Sequence, residues 1–328
     1  MGIGFRAYVV SENTDGTYSG NITERSTDDL PAGEVLIRVR YSSLNYKDAL
    51  SASGNKGVTK KYPHTPGIDA AGEVAVCTDG SFKEGDRVIV TGYDLGMNTA
   101  GGFGEYIRVP SAWVLPLPDG LTMKESMSLG TAGLTAALCA DGLLHSGLRG
   151  GSIAVTGATG GVGSIALSIL AAEGFSPWAV TGKPKLEPFL RSLGAENVIS
   201  VTDFTAGSEK PLMKPVWDGG IDVLGGSALS AMLKSVKYGG AVSCCGLALS
   251  PELNINVFPF ILRGISLIGV DSVECPKDKR IKAWNRLAGE WKPAALAEFT
   301  AEADLSGLDE KIKAMLDGKA AGRTVIRL

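Results

Sequence analysis

The run Thr156-Gly-Ala-Thr-Gly-Gly-Val-Gly-Ser164 sets Gly157, Gly160 and Gly163 three residues apart, with Gly161 as a fourth glycine. Glycines so spaced let a strand-to-helix turn tighten, bring backbone N–H groups against a pyrophosphate and let the helix pack on the strand. The helix N-terminus adds partial positive charge where the phosphates would lie. Any tight strand-to-helix turn could use these glycines. Here, however, the apolar run Ser152-Ile-Ala-Val-Thr156 precedes them and a helical segment, Ser164 to Glu173, follows, which completes a dinucleotide-binding pattern. Thr159, Gly160, Gly161, Val162 and Gly163 are the residues of that turn that would meet the cofactor.

The next strand selects the dinucleotide. An NAD site carries Asp or Glu roughly 20 residues past the turn for the ribose 2′-hydroxyl, whereas a cation there suits a 2′-phosphate. This chain has Thr181-Gly-Lys-Pro-Lys185 and no carboxylate before Glu187. Lys183 would attract a phosphate, with Thr181 and Gly182 beside it, and the alternative is a solvated loop lysine. The pattern points to NADPH.

These residues need a scaffold, and the chain supplies two textures. The first ~120 residues hold short β-branched runs between Gly and Pro turns, such as Glu34-Val-Leu-Ile-Arg-Val-Arg40, Asp69 to Val76, Asp86 to Thr91 and Gly101 to Val109, which suggest a barrel-like antiparallel domain. From about Leu121 the pattern becomes helical to Leu144. It then alternates strand and helix: strands at Ser152 to Thr156, Trp178 to Thr181, Asn197 to Ser200, Ile221 to Leu224, Ala241 to Cys244 and Ser266 to Asp271, and helices at Leu186 to Leu193 and Ala228 to Tyr238. Such alternation means βαβ units on a parallel sheet. The tail adds helices at Asp278 to Glu290 and Leu308 to Leu316, then a strand from Arg323 to Leu328 that needs a sheet to join.

Composition narrows the functional classes. At 328 residues, with 44% hydrophobic residues and 44 glycines, the chain fits two ordinary α/β domains. A net charge of -3 offers no basic field for nucleic acid. No signal-peptide pattern opens the chain, and its apolar runs are interrupted short of the ~18 residues of a membrane span, so the cytoplasm is expected. Five scattered cysteines without a CxxC read as reduced core thiols. His64 and His145 are the two histidines, too few for most three-ligand zinc sites.

With these motifs in view, the chain resembles the medium-chain dehydrogenase/reductase superfamily over nearly its whole length. It is most similar to the zinc-free quinone-oxidoreductase-like branch that includes acrylyl-CoA reductase. The marks are Ser42-Ser-Leu-Asn-Tyr-Lys-Asp48, Pro66-Gly-Ile-Asp-Ala-Ala-Gly72, Gly130-Thr-Ala-Gly-Leu-Thr-Ala136, the glycine turn, Pro259-Phe-Ile-Leu-Arg-Gly264, Gly269-Val-Asp-Ser272 and Gly322-Arg-Thr-Val325. The first cysteine ligand of zinc alcohol dehydrogenases falls at Asn45 and their His-Glu pair at Ile68-Asp69, so no metal is expected.

The resemblance implies an α/β chain with a GroES-like β-barrel domain, residues 1–124 and 274–328, and a Rossmann doubly wound parallel sheet, residues 125–273. It implies NADPH-dependent reduction of the activated C=C of acryloyl-CoA to propanoyl-CoA, an enone or quinone being the alternative acceptor. A non-catalytic NADPH-binding protein is a further alternative. A homodimer pairing through Ser266 to Asp271 is implied as well.

Cofactor contacts are implied for Tyr46, Thr131, Gly246, Leu247, Ile261, Leu262, Ser272 and Arg323, beside the turn and the Thr181–Lys183 segment. Tyr46 would orient the cofactor or donate a proton, or else be a core tyrosine; Asn45 shares its position near the nicotinamide. Asn98 would bind the thioester carbonyl or be a turn asparagine. Asp69 reads as a structural hydrogen-bonder. Arg263 and Arg323 would pair with phosphate or form surface ion pairs, and Cys244 and Cys245 read as packing.

Overall fold

The computed structural model describes residues 2–328, which form two compact units. One comprises the chain up to Thr131, Val273–Ile281 and Leu296–Leu328; the other comprises Ala132–Ser272 and Lys282–Ala295.

The first unit is β-rich. A hairpin of β1 (Gly4–Glu12) and β2 (Tyr18–Ser26) forms a two-stranded sheet. The central strand β3 (Val35–Ser43) pairs antiparallel with β4 (Asp69–Cys77), which pairs with β5 (Arg87–Thr91); β6 (Tyr106–Val109) also lies on β3, and β7 (Leu115–Pro116) on β5. Val35, Ile37 and Val39 share one face of β3 and pack with Val74, Val88, Val90, Ile107 and Val109, the period-two pattern of a half-buried strand. Leu36, on the other face, packs with Phe5, Ala7 and Val9 of β1. A short helix, α1 (Tyr46–Ala52), follows β3.

The second unit is an all-parallel sheet of β8 (Ser152–Thr156), β9 (Ser176–Thr181), β10 (Asn197–Ser200), β11 (Trp217–Asp222), β12 (Val236–Cys244) and β13 (Ser266–Gly269). Their order is β10-β9-β8-β11-β12-β13, the doubly wound Rossmann arrangement. Helix α2 (Met123–His145) precedes the sheet; α3 (Gly161–Ala172), α4 (Glu187–Ser192), α5 (Val201–Thr205), α6 (Gly226–Ser235) and α7 (Phe258–Arg263) connect its strands. The helix expected over Ala228 to Tyr238 stops at Ser235, because Val236 pairs with Trp217 and extends β12.

Helix α2 is long and apolar enough to cross a membrane by length and composition, contrary to the sequence expectation. Gly130 breaks it at φ 53 and ψ −153, and 72% of its apolar window is buried inside the protein, as in a core helix.

The tail contributes α8 (Lys277–Ala288), β14 (Thr300–Asp304), α9 (Leu308–Leu316) and β15 (Arg323–Arg327). The last strand joins β3 antiparallel, Val325 opposite Ser43, so the terminal strand finds its sheet. Residues 282–295, which the resemblance assigns to the N-terminal domain, cluster with the Rossmann unit. There Glu173, at the end of α3, ties the segment down: its Oε1 accepts from Arg286 NH2 and from the indole N–H of buried Trp291, both at 2.6 Å, and the Arg286 guanidinium lies 3.4 Å from the Trp291 ring centre. Replacing Trp291 by Phe keeps a packed ring but leaves Glu173 short of one donor. Urea unfolding should show a loss of about 1–3 kcal/mol; an unchanged midpoint would mean that this bond holds nothing.

Candidate functional site

In the Rossmann unit the glycines are sterically required. Gly157 turns the chain at φ +60 after β8, and a Cβ on Gly163 would sit 2.4 Å from the Gly157 carbonyl oxygen. Gly160 caps α3 in extended conformation with no side-chain bond. Ser164 N–H donates to the Gly160 carbonyl, so the N–H groups of Gly161, Val162 and Gly163 lie in the first turn, where no intrahelical acceptor exists. That is the geometry of an anion site at a helix N-terminus.

Two strand ends frame this turn. Buried Asp222, closing β11, accepts from Thr156 Oγ1 at 2.7 Å and from Gly225 N–H at 2.7 Å; Thr156 Oγ1 in turn accepts from Val223 N–H at 2.9 Å. Asp222 was not legible from spacing, being 66 residues from Thr156. At the end of β9 the Lys183 N–H donates to Thr181 Oγ1 at 2.9 Å, leaving the Thr181 hydroxyl proton available. Partial burial of Lys183 disfavours its ammonium and lowers its pKa, so an incoming phosphate would find a poorly hydrated cation.

At the far side of the sheet a cavity of about 460 Å³ is lined by Cys244, Cys245, Gly246, Leu247, Leu253 and Asp271 among others. Leu247 is 61% exposed, and Ile261 and Leu262 on α7 are 68% and 58% exposed, apolar side chains open to a ligand. Ser272 is buried and its Oγ accepts from Thr135 Oγ1 at 2.7 Å. Burial, and then the charge of Asp222, push the Cys244 thiol up to about 11, which keeps it protonated and unreactive.

In the first unit the expected residues converge on one carboxylate. Asp69, fully buried, accepts at Oδ2 from Ser43 Oγ (2.6 Å), Asn45 Nδ2 (2.8 Å) and Thr131 N–H (2.9 Å), and at Oδ1 from Thr131 Oγ1 (2.6 Å). Asp48 lies beside it and accepts from the N–H groups of Asn45 (2.8 Å), Gly67 (3.1 Å) and Ile68 (2.8 Å). The Asn45-x-x-Asp48 spacing is the sequence signal for that helix-capping contact. Tyr46, the first residue of α1, is 46% exposed and so is not a core tyrosine. Among the described residues no group of three or more His, Cys, Asp or Glu side chains converges to hold a metal ion.

Three expectations need correction, those for Asn45, Arg323 and Arg263. Asn45 is buried with both ends of its amide used, its Oδ1 accepting from Arg323 NH1 at 3.2 Å, so it is not free to touch substrate. Asn98 is the turn asparagine of the second reading, donating to Asp94 Oδ1 and accepting from Lys60 N–H. Arg323 is buried, not in a surface ion pair: its Nε donates to the Ser128 carbonyl and its NH1 to the Leu44 carbonyl, while its NH2 has no hydrogen-bond partner among the described residues. Arg263 spends its guanidinium on the carbonyls of Lys234, Val236 and Met213.

Burial and the neighbouring Asp69 charge push the Asp48 carboxyl up to about 7. The folded state therefore holds this proton more tightly than the unfolded chain, where Asp titrates near ~3.9. The resulting stability is complete below ~4 and is lost as pH rises through about 7. Urea unfolding of Asp48→Asn across pH 4–8 should lack that decline relative to wild type; parallel profiles would show that Asp48 does not titrate in this window.

Known proteins match this arrangement. Residues 31–119 match the alcohol dehydrogenase GroES-like domain and residues 161–288 the zinc-binding dehydrogenase domain. The chain is 43% identical to the putative quinone oxidoreductase YhfP of Bacillus subtilis over 99% of both chains, and 40% identical to the acrylyl-CoA reductase AcuI of Ruegeria pomeroyi over 98% of both. The crystal structure of the Salmonella enterica yhdH oxidoreductase in complex with NADP superposes with a TM-score of 0.95 at 38% identity, covering 99% of this chain and 100% of that one. That of B. subtilis yhfP with NAD bound gives 0.96 at 42%, with the same coverage.

Proposed function

Because the chain belongs to the medium-chain dehydrogenase/reductase superfamily, in its quinone-oxidoreductase-like branch, we propose that it is an NADPH-dependent reductase of the activated C=C of acryloyl-CoA. The product is propanoyl-CoA; NADPH and one proton are consumed. The observation that carries the cofactor assignment is the uncapped N-terminus of α3 behind the Gly157–Gly163 turn, with Thr181 and Lys183 at the neighbouring strand end. The likeness to AcuI supports the acyl-CoA acceptor.

When bound, NADPH supplies the hydride that the β carbon of the alkene receives. The chain's own residues hold and orient. Thr159 to Gly163 would take the pyrophosphate on first-turn N–H groups, and Thr181, Gly182 and Lys183 the 2′-phosphate. Leu247, Ile261 and Leu262 would cover apolar faces of the bound cofactor and exclude water. The family resemblance supports Tyr46, half exposed at the start of α1, as the residue that would orient the nicotinamide or deliver the α-carbon proton. No side chain here need hold a metal: Asn45, Ile68 and Asp69 stand at the ligand positions of the zinc members, and Asn45 and Asp69 bond each other.

A quinone or enone acceptor is the second reading, favoured by the likeness to YhfP. Steady-state kcat/KM on acryloyl-CoA, a benzoquinone and an enone decides between them; failure to turn over acryloyl-CoA while reducing either other acceptor would remove the acyl-CoA assignment. The cofactor reading has its own test. Lys183→Glu sets a carboxylate where a phosphate is expected, and kcat/KM for NADPH should fall roughly 10- to 100-fold while that for NADH is spared. Unchanged preference would take Lys183 out of the site. We place the protein in the cytoplasm as a homodimer, β13 being an edge strand whose outer side is open to a second copy.

A further inference from the structure

We propose that the Rossmann unit carries a second small-molecule site, for a planar aromatic carboxylate, in the groove between α5, residues 206–216 and the sheet face at Trp178 and Trp217. Every part of it belongs to that one unit.

The groove has a volume of about 590 Å³, inside the roughly 300–1,000 Å³ range of small-molecule pockets. Its floor is aromatic. Trp178 of β9 and Trp217 of β11 meet edge to face, with ring centres 5.0 Å apart at 71°, and the Phe204 ring of α5 lies 5.8 Å from that of Trp217. Phe204 and Trp217 are buried, whereas Trp178 is partly exposed and keeps ring surface for a ligand. The rim is cationic. Lys210 and Lys214 are exposed and, among the described residues, in no ion pair; the one carboxylate of the lining, Asp203, accepts from Ser200 Oγ at 2.6 Å. Two ammonium groups above an aromatic floor select an anion with a flat apolar body, the rings taking its faces and the lysines its carboxylate.

The outer wall is fixed in advance. Residues 206–216 form neither helix nor strand, yet hydrogen bonds pin them at three places. Buried Lys234 donates from Nζ to the Ser208 carbonyl at 2.6 Å, and its own carbonyl accepts from Met213 N–H at 3.0 Å. Arg263 NH2 donates to the Met213 carbonyl at 2.6 Å, and the Ser235 carbonyl accepts from Val216 N–H at 2.8 Å. A wall already ordered lowers the entropy cost of binding. The groove is also remote from the dinucleotide turn. Trp217 opens β11, the turn follows Thr156 at the end of β8, and the parallel register sets Gly219 opposite Ile153, so the two lie at opposite ends of the sheet.

Calorimetric titration of the full chain with 2-naphthoate is the test. Expected is one site per chain, with a Kd that saturating NADPH leaves unchanged. The double change Lys210→Glu with Lys214→Glu should weaken binding roughly 10-fold or more, and Trp178→Leu likewise. The neutral 2-naphthylmethanol and the aliphatic octanoate should each bind roughly 10-fold more weakly than 2-naphthoate. Absence of binding, displacement by NADPH, or an unchanged Kd in the double lysine variant would overturn the proposal. Octanoate bound as tightly as 2-naphthoate would overturn it too, since the groove would then take any apolar anion. Both lysines are surface residues, so their variant decides alone should Trp178→Leu fail to fold. None of these outcomes depends on which acceptor the chain reduces.

Discussion

A carboxylate can be shut away from water only if its lone pairs find donors, and that demand organises the first unit around Asp69. Four donors from β3, α1 and the start of the broken α2 answer it. The consequences spread outward. Gly130 must be glycine, because its positive φ and the closeness of Asp69 admit no side chain. Arg323 is drawn in from the last strand: burial lowers its pKa, and the charges of Asp69 and Asp48 pull it back up. Asp48 bears the remaining strain of two neighbouring acidic groups, since it is buried beside a carboxylate with only N–H donors of the backbone and Asn45 to offset the charge.

The Rossmann unit answers a different constraint, the close approach of backbone to backbone. Gly163 lets α3 rest against the turn at Gly157. Gly246 plays a similar part after β12, where a Cβ would lie 2.2 Å from the Val223 carbonyl oxygen. Asp222 then ties the ends of β8 and β11 together through Thr156, so the strand ends that face the helix N-terminus are held in register. Steric exclusion shapes the anion site, and hydrogen bonding holds it still.

Much of this was legible in the chain. The alternation of strand and helix marked the parallel sheet, and the glycine spacing marked its functional end. What escaped has identifiable causes. The segment Tyr46–Ala52 is too short for helical periodicity to show, and its cap is visible only as Asn45 and Asp48 three residues apart. Residues 282–295 carry an amphipathic helical pattern that says nothing about which core they join; Glu173, Arg286 and Trp291 settle that through contacts more than 100 residues apart in sequence. Asn98, Arg263 and Arg323 are residue types that suit substrate carbonyls or phosphates, yet each bonds polar groups of the protein itself.

By itself, then, the sequence determined the Rossmann and β-rich halves, a dinucleotide turn, a cation rather than a carboxylate at Lys183, and an isoleucine where a zinc ligand would stand. These are matters of residue identity and short-range spacing, which the covalent chain carries whole. Only the tertiary structure decided that Asn45 and Arg323 serve Asp69, that Asp48 is buried beside a like charge, and that Tyr46 remains half exposed. A residue type states what a side chain can bond; which partner satisfies it, and whether any capacity is left for a ligand, depends on neighbours that folding brings from distant parts of the chain.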